Sequence, residues 1–123
     1  MDISLPTGTV TFLFTDIENS TGLAQQYQGE LPALLAQHHE ILRQAIESNH
    51  GHVFQIVGDG FCAAFFTAID DAIHAALQAQ RGLQQAAWQP VGIKVRIGVH
   101  TGPAQAAGLD REGSVYSGYL TLA

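Results

Sequence analysis

Cysteine is almost missing from this chain, and basic residues are scarce. The one cysteine, Cys62, rules out an internal disulfide and fits a reducing compartment. Five Lys and Arg against eleven Asp and Glu leave a net charge of −6. That balance argues against a broad nucleic-acid surface, where basic groups must neutralise phosphates. Any bound triphosphate must rely on metal ions and backbone N–H groups more than on lysines. There is no apolar run of transmembrane length, no low-complexity stretch and no internal repeat. The opening Met1-Asp2-Ile3-Ser4-Leu5-Pro6 lacks the basic and apolar regions of a signal peptide. These absences lead to the expectation of a cytoplasmic protein with neither membrane nor nucleic acid as partner. What remains is 46% hydrophobic residues in 123 positions, enough for one packed domain over residues 1–123.

The apolar run Thr9 to Phe14 reads as a buried strand. Asn19, Ser20 and Thr21 are helix N-cap types, so a short helix is expected from there to about Gln28. Pro32 opens a second helix, with Leu31, Leu34, Leu35, His38, Leu42, Ala45 and Ile46 at helical spacing and Gly51 as its C-terminal cap. Val53 to Val57 and Phe61 to Phe66 read as strands of a hairpin, turned by Gly58-Asp59-Gly60. Thr67 and Asp70 resemble a capping pair for a third helix. Its stripe of Ile69, Ile73, Ala76, Leu77, Gln80 and Leu83 runs to about Trp88, before Pro90. Lys94 to His100 alternates as a fourth strand, and Thr101 to Arg111 is loop-like apart from a short strand around Pro103 to Ala107. The order β, α in two pieces, β, β, α, β is the split βαβ plan of ferredoxin-like α+β folds, an antiparallel sheet with helices on one face.

That plan brings two distant carboxylates together. The first and third strands are neighbours and antiparallel, so the end of one lies beside the start of the other. Asp16 and Asp59 therefore converge at one edge of the sheet. Paired carboxylates make an oxygen-rich site for Mg²⁺ or Mn²⁺, to which the Ile17 carbonyl can add a ligand. Two such ions, about 3.5–4 Å apart, suit attack on a phosphate. The backbone N–H groups of Ile17, Glu18, Asn19, Ser20 and Thr21 lead into a helix N-terminus, which attracts phosphate oxygens. Of the other reactive side chains, Cys62 is expected as an inert buried thiol. His38 and His39 are adjacent on a helix and diverge, so His38 is expected at an interface or partly buried.

The segments Phe14-Thr15-Asp16-Ile17-Glu18-Asn19-Ser20-Thr21, Val57-Gly58-Asp59-Gly60-Phe61 and Val95-Arg96-Ile97-Gly98-Val99-His100-Thr101-Gly102 together resemble the class III nucleotidyl cyclases, the adenylate and guanylate cyclases. The opening Gly8-Thr9-Val10-Thr11-Phe12-Leu13-Phe14 is similar to bacterial members, which often carry further signalling domains. The resemblance implies a cyclase homology domain that forms a head-to-tail homodimer, with active sites between subunits. It implies two Mg²⁺ or Mn²⁺ held by Asp16, Ile17 and Asp59, ATP or GTP as substrate, and attack of the ribose 3′ oxygen on the α-phosphate with release of pyrophosphate. Gln55 stands at the family's base-reading lysine, four residues before the second metal aspartate.

Other positions depart from the family pattern. Val115 falls at the partner base-reading position and Leu122 at the transition-state asparagine. The arginine one helical turn later falls beyond Ala123, and no asparagine follows Asn49. The family's further C-terminal helix and strands are not expected within these residues. No catalytic side chain is therefore assigned beyond the metal ligands. Two functions follow from the resemblance: a purine nucleotide cyclase domain, or a catalytically degenerate relative that senses nucleotide or dimerises within a larger signalling protein.

Overall fold

A computed structural model describes residues 8–106 and 116–117. The strand expected at Thr9 to Phe14 is longer, and β1 (Gly8–Ile17) carries the first aspartate within it. Two helices follow, α1 (Ser20–Gln26) and α2 (Leu31–Ser48), with Pro32 in the first turn of the second. The hairpin is β2 (His52–Val57) and β3 (Gly60–Phe65), then come α3 (Ile69–Gln85) and β4 (Val95–Ala106). A two-residue β5 (Tyr116–Ser117) pairs with the end of β4. The sheet order is β2-β3-β1-β4-β5, the antiparallel α+β plan anticipated from the element order. Among the described residues no helix is long and apolar enough to cross a membrane.

The termini of the elements differ from the sequence expectation in instructive ways. Asn19 does precede α1, but it sits in the left-handed region (φ 58°) and makes no side-chain capping bond. Thr67 bonds Asp71 rather than forming a capping pair with Asp70, and α3 stops at Gln85. At the end of α2 the left-handed residue is His50 (φ 68°), not Gly51. Gly51 is needed for space instead, because a Cβ there would lie 2.6 Å from both Ile46 and Phe65. In the hairpin the left-handed residue is Gly58 (φ 60°), ahead of Asp59. Thr101 and Gly102, expected as loop, join the short strand expected around Pro103 to Ala107 to the end of β4, because Gly8 to Thr11 pair residue by residue with Thr101 to Ala104.

Alternation along β1 decides which residues meet the helices. Leu13 and Ile17 join α2 and α3 in the main core with Leu34, Leu42, Ile46, Phe61 and Phe65. Val10 and Phe12 point the other way, into a smaller cluster with Phe54, Ala64, Phe14 and Cys62. The face of α3 that enters the core is Ala72, Ala75, Ala79 and Leu83, whereas Ile69, Ile73 and Leu77 are about half exposed. Small side chains let the helix approach the sheet closely, so of the expected stripe Leu83 lies in the core and Ala76 packs against it, while Ile69, Ile73 and Leu77 lie outside.

Candidate metal and nucleotide site

Strand pairing carries Asp16 and Asp59 to the same end of the sheet. β1 and β3 run antiparallel from Thr11↔Phe65 to Phe14↔Cys62, which sets Asp16 beside the hairpin turn. Both aspartates line one cavity of about 320 Å³, with Phe14, Thr15, Gln55, Val57, Gly60, Phe61 and Cys62. Gln55 thus shares a cavity with both carboxylates. Asp59 also lines a second cavity of about 360 Å³ on the helix side, with Ile17, Ser20, Thr21 and Leu23. It stands between the two.

Of the expected phosphate segment, the structure gathers Ile17, Ser20 and Thr21 but not Glu18 or Asn19. The Glu18 amide donates to the Lys94 carbonyl at 2.8 Å, so it is closed to a ligand. This bond also sets the neighbouring backbone. In an antiparallel ladder successive residues turn to opposite sides, so the Ile17 amide and carbonyl face the hairpin. No side chain caps α1, and the first-turn amides of Ser20 and Thr21 have no partner within their own helix.

Sequence reasoning missed Arg96. It lies directly opposite Asp16 on β4, and its Nε and an Nη donate to the two carboxylate oxygens at 2.8 and 2.9 Å. Both side chains are more than half exposed. The carboxylate holds the guanidinium pKa above its usual value. Opposite charges at the ends of two strands were visible, but the register that pairs them was not. Thr15 was also missed: it is 7% exposed, and its hydroxyl accepts the Phe61 amide at 2.9 Å. Nothing in its residue type marked it. Cys62 is half-buried rather than deep in the core, and burial raises its pKa. The thiol is protonated at neutral pH, in keeping with an inert role.

The donors suit a hard divalent cation. Asp16 already carries a positive group on both oxygens, so the position favours cationic charge. No three His, Cys, Asp or Glu side chains converge among the described residues. A cation here would therefore take two carboxylates and complete its shell from backbone, water and phosphate, as Mg²⁺ commonly does. Val115 and Leu122 lie outside the described residues.

The profile of a family described as the adenylate and guanylate cyclase catalytic domain matches residues 4–119. An uncharacterized protein of Mycobacterium tuberculosis is 41% identical over 103 residues, covering 81% of this chain and 33% of its own. The adenylate cyclase of Lachancea kluyveri is 31% identical over 121 residues, covering 82% of this chain and 6% of its own. An adenylate cyclase structure from Trypanosoma brucei, in its monomeric state, superposes with a TM-score of 0.81 at 26% identity. That match covers 94% of this chain and 66% of the trypanosomal one. The chain thus spans about a third of its mycobacterial relative.

Proposed function

The chain belongs to the family of adenylate and guanylate cyclase catalytic domains, and on that premise we propose that it carries a metal-dependent purine nucleotide cyclase site. The substrate is ATP or GTP, and the products are a cyclic nucleotide and pyrophosphate. The observation that carries this reading is the cavity shared by Asp16 and Asp59 at the end of the sheet.

Asp16 and Asp59 would hold two Mg²⁺ or Mn²⁺, with the Ile17 carbonyl, turned toward the hairpin, as a further ligand. When bound, the metal ions polarise the α-phosphate and offset the charge that grows on the leaving pyrophosphate. The Ser20 and Thr21 amides, with the Thr21 hydroxyl, receive phosphate oxygens beside Asp59. Arg96, beside Asp16 on the neighbouring strand, would offer its planar donor fork to the phosphates. Gln55 can hydrogen-bond the base but has no charge with which to choose it. The ribose 3′ hydroxyl oxygen attacks the α-phosphorus and its proton passes to solvent, while the bond from the α-phosphorus to the oxygen shared with the β-phosphate breaks and pyrophosphate leaves. As in the family it resembles, the chain would act as a head-to-tail homodimer in the cytoplasm, within a larger signalling protein.

A second reading keeps binding without turnover, as a nucleotide-sensing or dimerisation module. It is favoured by Leu122, which falls where the family's transition-state asparagine is expected. Loss of a transition-state donor costs roughly 10²–10³ in rate.

Isothermal titration of the 123-residue chain with a non-hydrolysable ATP analogue in Mn²⁺ tests the site. Binding is expected for the natural sequence and its loss in Asp59→Ala. Equal binding by both would refute the assignment. Cyclic nucleotide formation, assayed separately, decides between the two readings.

A further inference from the structure

We infer that Thr15 is a positioning residue that fixes where Asp59 stands relative to Asp16. This rests on the metal and nucleotide reading above and adds a residue to it. The pairing of β1 with β3 runs as far as Phe14↔Cys62. One step beyond, a side chain takes over from the backbone: the Thr15 hydroxyl oxygen accepts the Phe61 amide at 2.9 Å, in a buried bond. Phe61 is itself 0% exposed, so this amide has no water to turn to.

The main chain of Thr15 reaches the same hairpin. A Cβ built on Gly60 would lie 2.5 Å from the Thr15 carbonyl oxygen, so the turn lies against β1 with no room for a side chain. Thr15 thus touches the residues one and two positions after Asp59 through two different groups. Its own neighbour in sequence is Asp16. One residue, next to Asp16 in sequence, joins the two elements that carry the carboxylates. Displacement of a ligand by about 1 Å is enough to spoil a metal or catalytic site.

Thr15→Val keeps the branched shape and removes the acceptor, whereas Thr15→Ser keeps the acceptor. Two readouts on the 123-residue chain test the inference. The first is affinity for Mn²⁺ with the non-hydrolysable ATP analogue. We expect a loss of about tenfold or more in Thr15→Val and affinity within about twofold of the natural chain in Thr15→Ser, in line with one hydrogen bond to a buried donor. The second is amide exchange at Phe61, which needs no ligand. It should quicken by at least about tenfold in Thr15→Val, with Ala63 and Phe65 unchanged, and recover in Thr15→Ser.

Unchanged affinity in Thr15→Val, where Asp59→Ala abolishes binding, overturns the positioning role. So does unchanged Phe61 exchange. If the natural chain binds no nucleotide, the cyclase reading fails on its own and the exchange measurement still decides whether Thr15 holds the hairpin. Thr15→Ala supplies the same contrast if the valine variant does not fold.

Discussion

His38 on α2 shows how one side chain can set a pH limit. It is wholly buried, beyond the partly buried or interface place expected for it, and neither ring nitrogen has a hydrogen-bond partner among the described residues. Its ring meets those of His39 and Phe61 edge-on. Burial, helped by the neighbouring His39, lowers its pKa to about 4. The unfolded chain takes up this proton near pH 6.5 and the folded chain only near 4, so unfolding gains protons between those values. Stability from this residue is complete above about pH 6.5 and falls as the pH drops toward 4. Denaturation midpoints should show a loss of about 2 kcal/mol from pH 7 to pH 5, and His38→Leu should flatten the slope. Arg96 gives a second test at this scale. Arg96→Ala frees Asp16, so the affinity for Mn²⁺ alone should rise roughly two- to fivefold. The affinity for the Mn²⁺–nucleotide complex should fall, because the phosphates lose a donor fork. A fall in both titrations would mean that Arg96 orients Asp16 rather than competing for it.

Two turn glycines make opposite demands on the hairpin. Gly58 needs its backbone angle and has open space around it, whereas Gly60 needs the space. Gly58→Ala should cost roughly 1 kcal/mol, and Gly60→Ala roughly 2–3 kcal/mol, from forcing a methyl group against the Thr15 carbonyl. Urea titration of both variants measures the order. In α3, Ala75→Leu should lose about 1–3 kcal/mol by overpacking. Ile73→Gln, on the outer face, should stay within about 0.5 kcal/mol. That contrast also explains what was legible in the sequence. The elements, their order and the meeting of Asp16 with Asp59 follow from periodicity and the connection rules. The inward face of α3 did not, because large apolar residues outweigh alanine in any periodic reading. Close packing on a sheet favours the small ones. Arg96 and Thr15 act through a register, which only the folded ladder reveals, and the Glu18 amide was lost to phosphate for the same reason.

For the molecule as a whole, scarcity of basic residues means that nucleotide affinity should depend on the cation. With an excess of EDTA the chain should lose nucleotide binding altogether in the same titration, since a net charge of −6 repels a bare triphosphate. Binding that survives chelation would place the nucleotide somewhere other than beside Asp16 and Asp59. The sheet order has one more consequence. Asp16 belongs to a strand braced on both sides by β3 and β4, while Asp59 rides on the turn of a hairpin whose outer strand is the edge of the sheet. The two carboxylates therefore work like the jaws of a vice. The jaw on β1 is fixed by its pairing with Arg96 on β4. The other is held through the Thr15 hydroxyl and carbonyl, so the spacing of the two carboxylates is set where the hairpin meets Thr15.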